Sequence, residues 1–120
     1  MSRILVVDDM ASIRRIVKVL LTNMGHSVAE ADNGQTAIKM LNSETYDLII
    51  SDWNMPVLDG SGLVRSIRQG CCQNTIPVIM LTAEADKRRV VELAQLGING
   101  YILKPFKQET FEMVVKKVLA

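Results

Sequence analysis

The chain has no long hydrophobic run. Its apolar stretches are far shorter than the roughly 20 residues that span a bilayer. It also lacks a signal-peptide layout, because in "MSRILVVDD" the acids arrive after only a few apolar residues. That opening reads as a native start, and a cytoplasmic location without membrane insertion is expected. Neither sign of charge dominates: 14 Lys and Arg stand against 13 Asp and Glu, for a net charge of +1. No strongly basic face follows, so nucleic acid is not an expected direct partner. Cysteine is scarce. Cys71 and Cys72 are adjacent, a placement that rarely gives a structural disulfide, and two ligands make no zinc site. They read as loop thiols. The single histidine, His26, has no second ligand near it in sequence and reads as a solvent-facing turn residue. There is no linker, repeat or low-complexity stretch. What is present is 120 residues, 48% of them hydrophobic, which suits one domain over residues 1–120 with one core.

Short β-rich runs alternate with helical patterns. The runs are "RILVV", "SVAEA", "YDLII", "IPVIML" and "GYIL". Three are almost wholly apolar, as strands covered on both faces should be. Between the first two, Ile13, Ile16, Val17, Leu20, Leu21 and Met24 recur at helical spacing, with Gly25 as the stop. Phe111, Val114, Val115, Val118 and Leu119 repeat the pattern at the end of the chain. "GQTAIKML", "SGLVRSIR" and "KRRVVELAQLG" are shorter helical segments. Five β-α repeats predict an α/β fold: a doubly wound parallel five-stranded sheet between two helical layers, with right-handed crossovers. The seven Met residues read as core filler, and Arg88, Arg89, Lys116 and Lys117 as solvated faces.

In such a sheet all strand carboxyl ends share one edge, where ligands bind. The residues just past four of the five expected strands are Asp8-Asp9, Asp52, Thr82 and Lys104. Each has an ordinary reading alone: Asp8 or Asp9 as a cap of the first helix, Thr82 as a cap of the fourth, Asp52 as a turn residue, Lys104 as a surface cation. Together they put three acids, a hydroxyl and an ammonium on one edge. At ~4 Å two like charges repel by about 4 kcal/mol at an effective dielectric of 20, so three acids need a cation among them. With no Cys or His at hand, the oxygen-rich set suits Mg²⁺ better than Zn²⁺. A carboxylate can act as nucleophile in phosphoryl transfer, with a metal offsetting its repulsion from phosphoryl oxygens. Lys104 would hold a phosphoryl oxygen as a point charge, and the Thr82 hydroxyl would donate to another.

"ILVVDD", "ISDWNMPVLDG", "VIMLTAEA" and "GYILKPF" occur in this order over essentially the whole chain. Together they resemble the receiver domain of two-component response regulators, and most of all its chemotaxis members. The resemblance implies a flavodoxin-like strand order 2-1-3-4-5. It implies a switch that takes a phosphoryl group from a sensor histidine kinase and changes partner binding, catalysing only its own phosphorylation and dephosphorylation. Asp52 is then the phosphoacceptor. Asp9 and Asp52 ligate Mg²⁺ by side chain, Asn54 by its backbone carbonyl and Asp8 through water. Lys104 and Thr82 meet the phosphoryl group, and Tyr101 is the aromatic that moves inward as Thr82 shifts. The Lys104-Pro105 bond is expected to be cis. Ala83 leaves the phosphoryl path open, and Asn54 and Glu84 match positions that tune dephosphorylation. A monomer is expected. Its output face is formed by the fourth helix, the fifth strand and the fifth helix, and in chemotaxis members the target is the flagellar motor switch.

The "QGCCQNT" loop, Val57-Leu58 and the shortened "MGHSVAEA" loop depart from the family pattern, but none touches the acid pocket. A second reading has the same domain cut from a longer regulator with a DNA-binding or enzymatic output. A phosphatase with an aspartyl-phosphate intermediate fits less well, because Asn54 occupies the place where such enzymes put a general acid. Flavin binding lacks a hydroxyl-rich phosphate loop after the first strand.

Overall fold

The computed structural model describes residues 2–53, 57–70, 75–82, 91, 92 and 94–120. The elements run β1 (Arg3–Val7), α1 (Ala11–Asn23), β2 (Ser27–Ala31), α2 (Gly34–Ser43), β3 (Leu48–Asp52), α3 (Gly60–Arg68), β4 (Val78–Thr82), β5 (Gly100–Leu103) and a C-terminal helix (Gln108–Leu119). All strands are parallel, in the order β2-β1-β3-β4-β5, as expected. Of the segment "KRRVVELAQLG", residues 91, 92, 94 and 95 are helical, while 87–90 and 93 lie outside the described residues.

Strand alternation divides the apolar residues between two cores. Ile4, Val6, Leu48, Ile50, Ile79, Leu81 and Ile102 face Val17 and Leu21 of α1 and Phe111 and Val115 of the C-terminal helix. Leu5, Val7, Ile49, Val78 and Met80 face α2 and α3 through Ala37, Leu41, Leu63, Val64 and Ile67. β3 and β4 are buried along their whole length, which explains their unbroken apolar runs. At the turn after α1, Gly25 adopts φ +90, a conformation that costs glycine little. Asn33 caps α2 by accepting from the Thr36 amide, and Asp59 caps α3 by accepting from the Gly62 amide.

Four expectations need correction. β3 and β4 begin two residues later than the runs "YDLII" and "IPVIML", because pairing begins with Leu48 opposite Ile4 and Val78 opposite Ile49. Pairing runs on to Asp52 opposite Leu81 and Thr82 opposite Leu103, so these are the last residues of their strands rather than the residues after them. His26 is half-buried, and its Nδ1 accepts from the Ser2 amide at 3.2 Å. The register of Arg3 opposite Ser27 brings the turn after α1 against the start of β1. Not all Met residues fill the core: Met80 is buried, but Met10 and Met113 are exposed, since each falls on the outer side of its segment. Met1, Met55, Cys71, Cys72, Arg88 and Arg89 lie outside the described residues.

Candidate functional site

The carboxyl edge of the sheet gathers the acids. β1 ends at Val7 and delivers Asp8 and Asp9, while β3, its hydrogen-bonded neighbour, ends at Asp52. One carboxylate oxygen from each of Asp8, Asp9 and Asp52 lies within 4.8 Å of the others. Lys104, just past β5, reaches across β4 to join them. Its Nζ is 3.0 Å from Asp52 Oδ1 and 3.3 Å from Asp8 Oδ2. The Lys104 amide donates to the Thr82 carbonyl at 2.8 Å, which ties the base of that reach to β4. The Lys104-Pro105 peptide is cis, as expected.

The three acids differ in surroundings. Asp8 is fully buried, Asp52 is 8% exposed and Asp9 lies open at the surface. The Asp8 side chain does not cap α1. It accepts from the Met10 amide at 2.9 Å, and Met10, the N-cap residue of α1, makes no side-chain cap hydrogen bond. Burial pushes the Asp8 carboxyl above its usual 3.8. The Met10 amide opposes this, the Asp52 charge adds to it, and Lys104 opposes it again. Burial alone would lower Lys104, but the hydrogen bond and charge of Asp52, with Asp8 behind them, outweigh it. Its ammonium ends above the usual 10.5. The cation is firmly charged, and among the described residues it is the one ammonium bonded to the cluster, through Asp52 and Asp8.

Thr82 closes β4, buried at 3% exposure. Tyr101 pairs with Met80 on β5 and is 43% exposed, in an outward position. Because Thr82 pairs with Leu103, two residues beyond Tyr101, alternation puts Thr82 and Tyr101 on the same sheet face. Asn54, Ala83 and Glu84 lie outside the described residues.

The response regulator receiver domain family matches residues 4–116. The chain belongs to this family. It is a receiver domain of two-component signalling, and it is similar to chemotaxis regulators. It is 43% identical over 117 residues to the chemotaxis protein CheY of Pseudomonas aeruginosa, covering 97% of this chain and 94% of the relative. The solved structure of the chemotaxis response regulator CheY4 of Vibrio cholerae superposes with a TM-score of 0.92 at 35% identity, covering 99% of each chain. The receiver domain of a sensor histidine kinase from Pseudomonas aeruginosa PAO1, solved with a magnesium ion coordinated in the active site cleft, gives 0.88 at 30% identity over 98% of this chain and 97% of the other. Receiver domains act as signalling switches that interact with histidine kinases and downstream targets.

One polar residue behind this receiver's pocket escaped the sequence reading. Arg14 of α1 donates from Nη1 to the Asp8 carbonyl at 2.7 Å. A bond to a backbone carbonyl has no sequence signature. The available clue was a cation near the start of a helix, where the dipole disfavours it.

Proposed function

We propose that this receiver domain, residues 1–120, is switched by phosphorylation of Asp52 in the presence of Mg²⁺, with a histidine kinase as donor. The observation that carries this is the charge balance: among the described residues, three clustered carboxylates meet one ammonium. A divalent cation restores neutrality, and an all-oxygen donor set is what Mg²⁺ prefers. Asp9 and Asp52 would hold it directly, with the Asn54 carbonyl, while buried Asp8 would act through water. When bound, Mg²⁺ supplies charge that lets phosphoryl oxygens approach the carboxylates.

Asp52 then attacks phosphorus through a carboxylate oxygen. The phosphorus–nitrogen bond of a phosphohistidine breaks, and the electron pair leaves with the imidazole. Lys104, already on Asp52, takes a phosphoryl oxygen as a point charge. Thr82 moves to donate to another, and Tyr101 turns from its exposed position into the space released. Two existing states are reweighted by these new contacts. Asn54, Ala83 and Glu84 are the positions that would set the lifetime of the phosphoryl group. Tyr101 and exposed Lys107 lie on the proposed output face, and the similarity to chemotaxis regulators favours a flagellar motor switch as target. In the test, a small phosphodonor and Mg²⁺ should add one phosphoryl group to the intact mass. The gain should vanish without Mg²⁺ and in Asp52→Asn. Undiminished labelling of that variant would move the nucleophile elsewhere.

A further inference from the structure

Arg14 stands behind the acid pocket rather than in it. Its Nη1 holds the Asp8 carbonyl at 2.7 Å, and its Nε donates to Glu30 Oε1 on β2 at 3.1 Å. Its side chain is only 19% exposed. Glu30 also meets Lys18 at 3.7 Å, so the guanidinium is braced from β2. A cation here is costly twice over: it faces the positive end of a helix dipole, and it lies beside a pocket that is to accept Mg²⁺.

Asp8 is tied at each polar atom. Its amide donates to the Ala31 carbonyl at 3.1 Å, its Oδ1 accepts from Met10, its Oδ2 faces Lys104 and its carbonyl accepts from Arg14. That carbonyl and the Asp9 amide belong to one planar peptide. Holding the oxygen fixes the tilt of the plane, and with it the direction in which the Asp9 side chain departs. The exposed Asp9 carboxylate has no hydrogen-bond partner of its own among the described residues. The backbone behind it is therefore what aims it.

We infer that Arg14 is a positioning residue that fixes the Asp8–Asp9 peptide plane, aims Asp9 and so gives the pocket a preference for Mg²⁺ over Ca²⁺. The inference rests on the metal-binding reading above. Charge alone predicts otherwise: removing a cation beside the site would tighten all divalent ions to a similar degree. Mg²⁺ demands near-ideal octahedral geometry with short bonds, whereas Ca²⁺ accepts varied geometry. Loss of aim should therefore penalise Mg²⁺ more.

Trp53, the only Trp in the chain, adjoins Asp52, so its fluorescence reads metal binding without phosphoryl chemistry. MgCl₂ and CaCl₂ are titrated into metal-free wild type, Arg14→Gln, Arg14→Lys and Glu30→Gln, with metal-free melting temperatures taken alongside. Arg14→Gln should lower the Mg²⁺/Ca²⁺ preference by about tenfold, the low end of what losing a partner behind a ligand costs. Its melting temperature should hold. Arg14→Lys, whose single nitrogen cannot occupy the Nε and Nη1 positions together, should fall between. So should Glu30→Gln, which carries the test if Arg14→Gln does not fold. A preference equal to wild type overturns the inference, whichever way the separate affinities move, and so does a parallel loss of both affinities and melting temperature. A wild type that binds neither metal would overturn the metal reading itself, and this inference with it.

Discussion

Replacing Asp8 with Asn should stabilise the metal-free protein. Asn keeps the acceptor for the Met10 amide and the size of the side chain, so only charge is removed. At an effective dielectric of about 20, Asp8 gains ~5 kcal/mol from Lys104 at 3.3 Å. It loses ~3.5 kcal/mol to Asp52 at up to 4.8 Å. Asp9 repels it too, though solvent screens that exposed charge. The Coulomb terms nearly cancel, and the desolvation of a fully buried carboxylate, several kcal/mol, decides the sign. The amide would face the Lys104 ammonium, which can rest on Asp52 alone at 3.0 Å. A net gain of about 2 kcal/mol, or roughly 8 °C in melting temperature, is expected at neutral pH. The pH dependence is a second check. A carboxyl raised above 3.8 in the folded state adds stability as pH falls through its folded value, and that gain is lost as pH rises back through it. The advantage of Asp8→Asn should therefore shrink on acidification towards 3.8. Urea titrations with chelator, at neutral and mildly acidic pH, measure both effects. A folded variant that is less stable than wild type at neutral pH would show instead that the ion pair with Lys104 outweighs burial.

Val57 adopts φ +70 at 78% exposure, where a β-branched residue is strained, so Val57→Gly should raise the urea-derived stability by about 1 kcal/mol. Gly60 admits no side chain, since a Cβ would stand 2.5 Å from the Asp52 carbonyl oxygen and 3.0 Å from Trp53 Cα. Gly60→Ala should cost about 2 kcal/mol and shift Trp53 emission. Thr82→Ala should still accept a phosphoryl group yet lose most of the gain in partner affinity that beryllium fluoride gives wild type. Equal gains in pull-downs of the two proteins would remove Thr82 from the signal path.

The repeat of strand and helix was legible because each buried strand carries an unbroken apolar run and each long helix a 3.6-residue stripe. Strand ends were less legible. The run "YDLII" includes Tyr46 and Asp47, but Asp47 spends its carboxylate on the Arg3 amide and Tyr46 packs its ring into the core, so the ladder starts at Leu48. The site was legible for a topological reason: in a parallel sheet, residues far apart in sequence share one edge, and Asp8, Asp9, Asp52 and Lys104 do meet there. Their unequal burial was not legible, because it is a tertiary property: Asp8 is enclosed at the sheet edge, bonded to the Met10 amide and Lys104, while Asp9 beside it is open. His26 and Arg14 were misread or missed for a related reason, since each bonds to backbone atoms that carry no residue identity.

If Asp52 is the phosphoacceptor, the phosphoryl group rests on its carboxylate. Borohydride reduces an acyl phosphate to an alcohol, turning a phosphorylated aspartate into homoserine. Wild-type protein is phosphorylated by a small donor with Mg²⁺, reduced, digested and mapped by peptide mass spectrometry. Homoserine is expected at position 52 alone, and none when Mg²⁺ is withheld. Homoserine at Asp8 or Asp9 with Asp52 intact, or a phosphoryl group that resists reduction, would contradict that assignment.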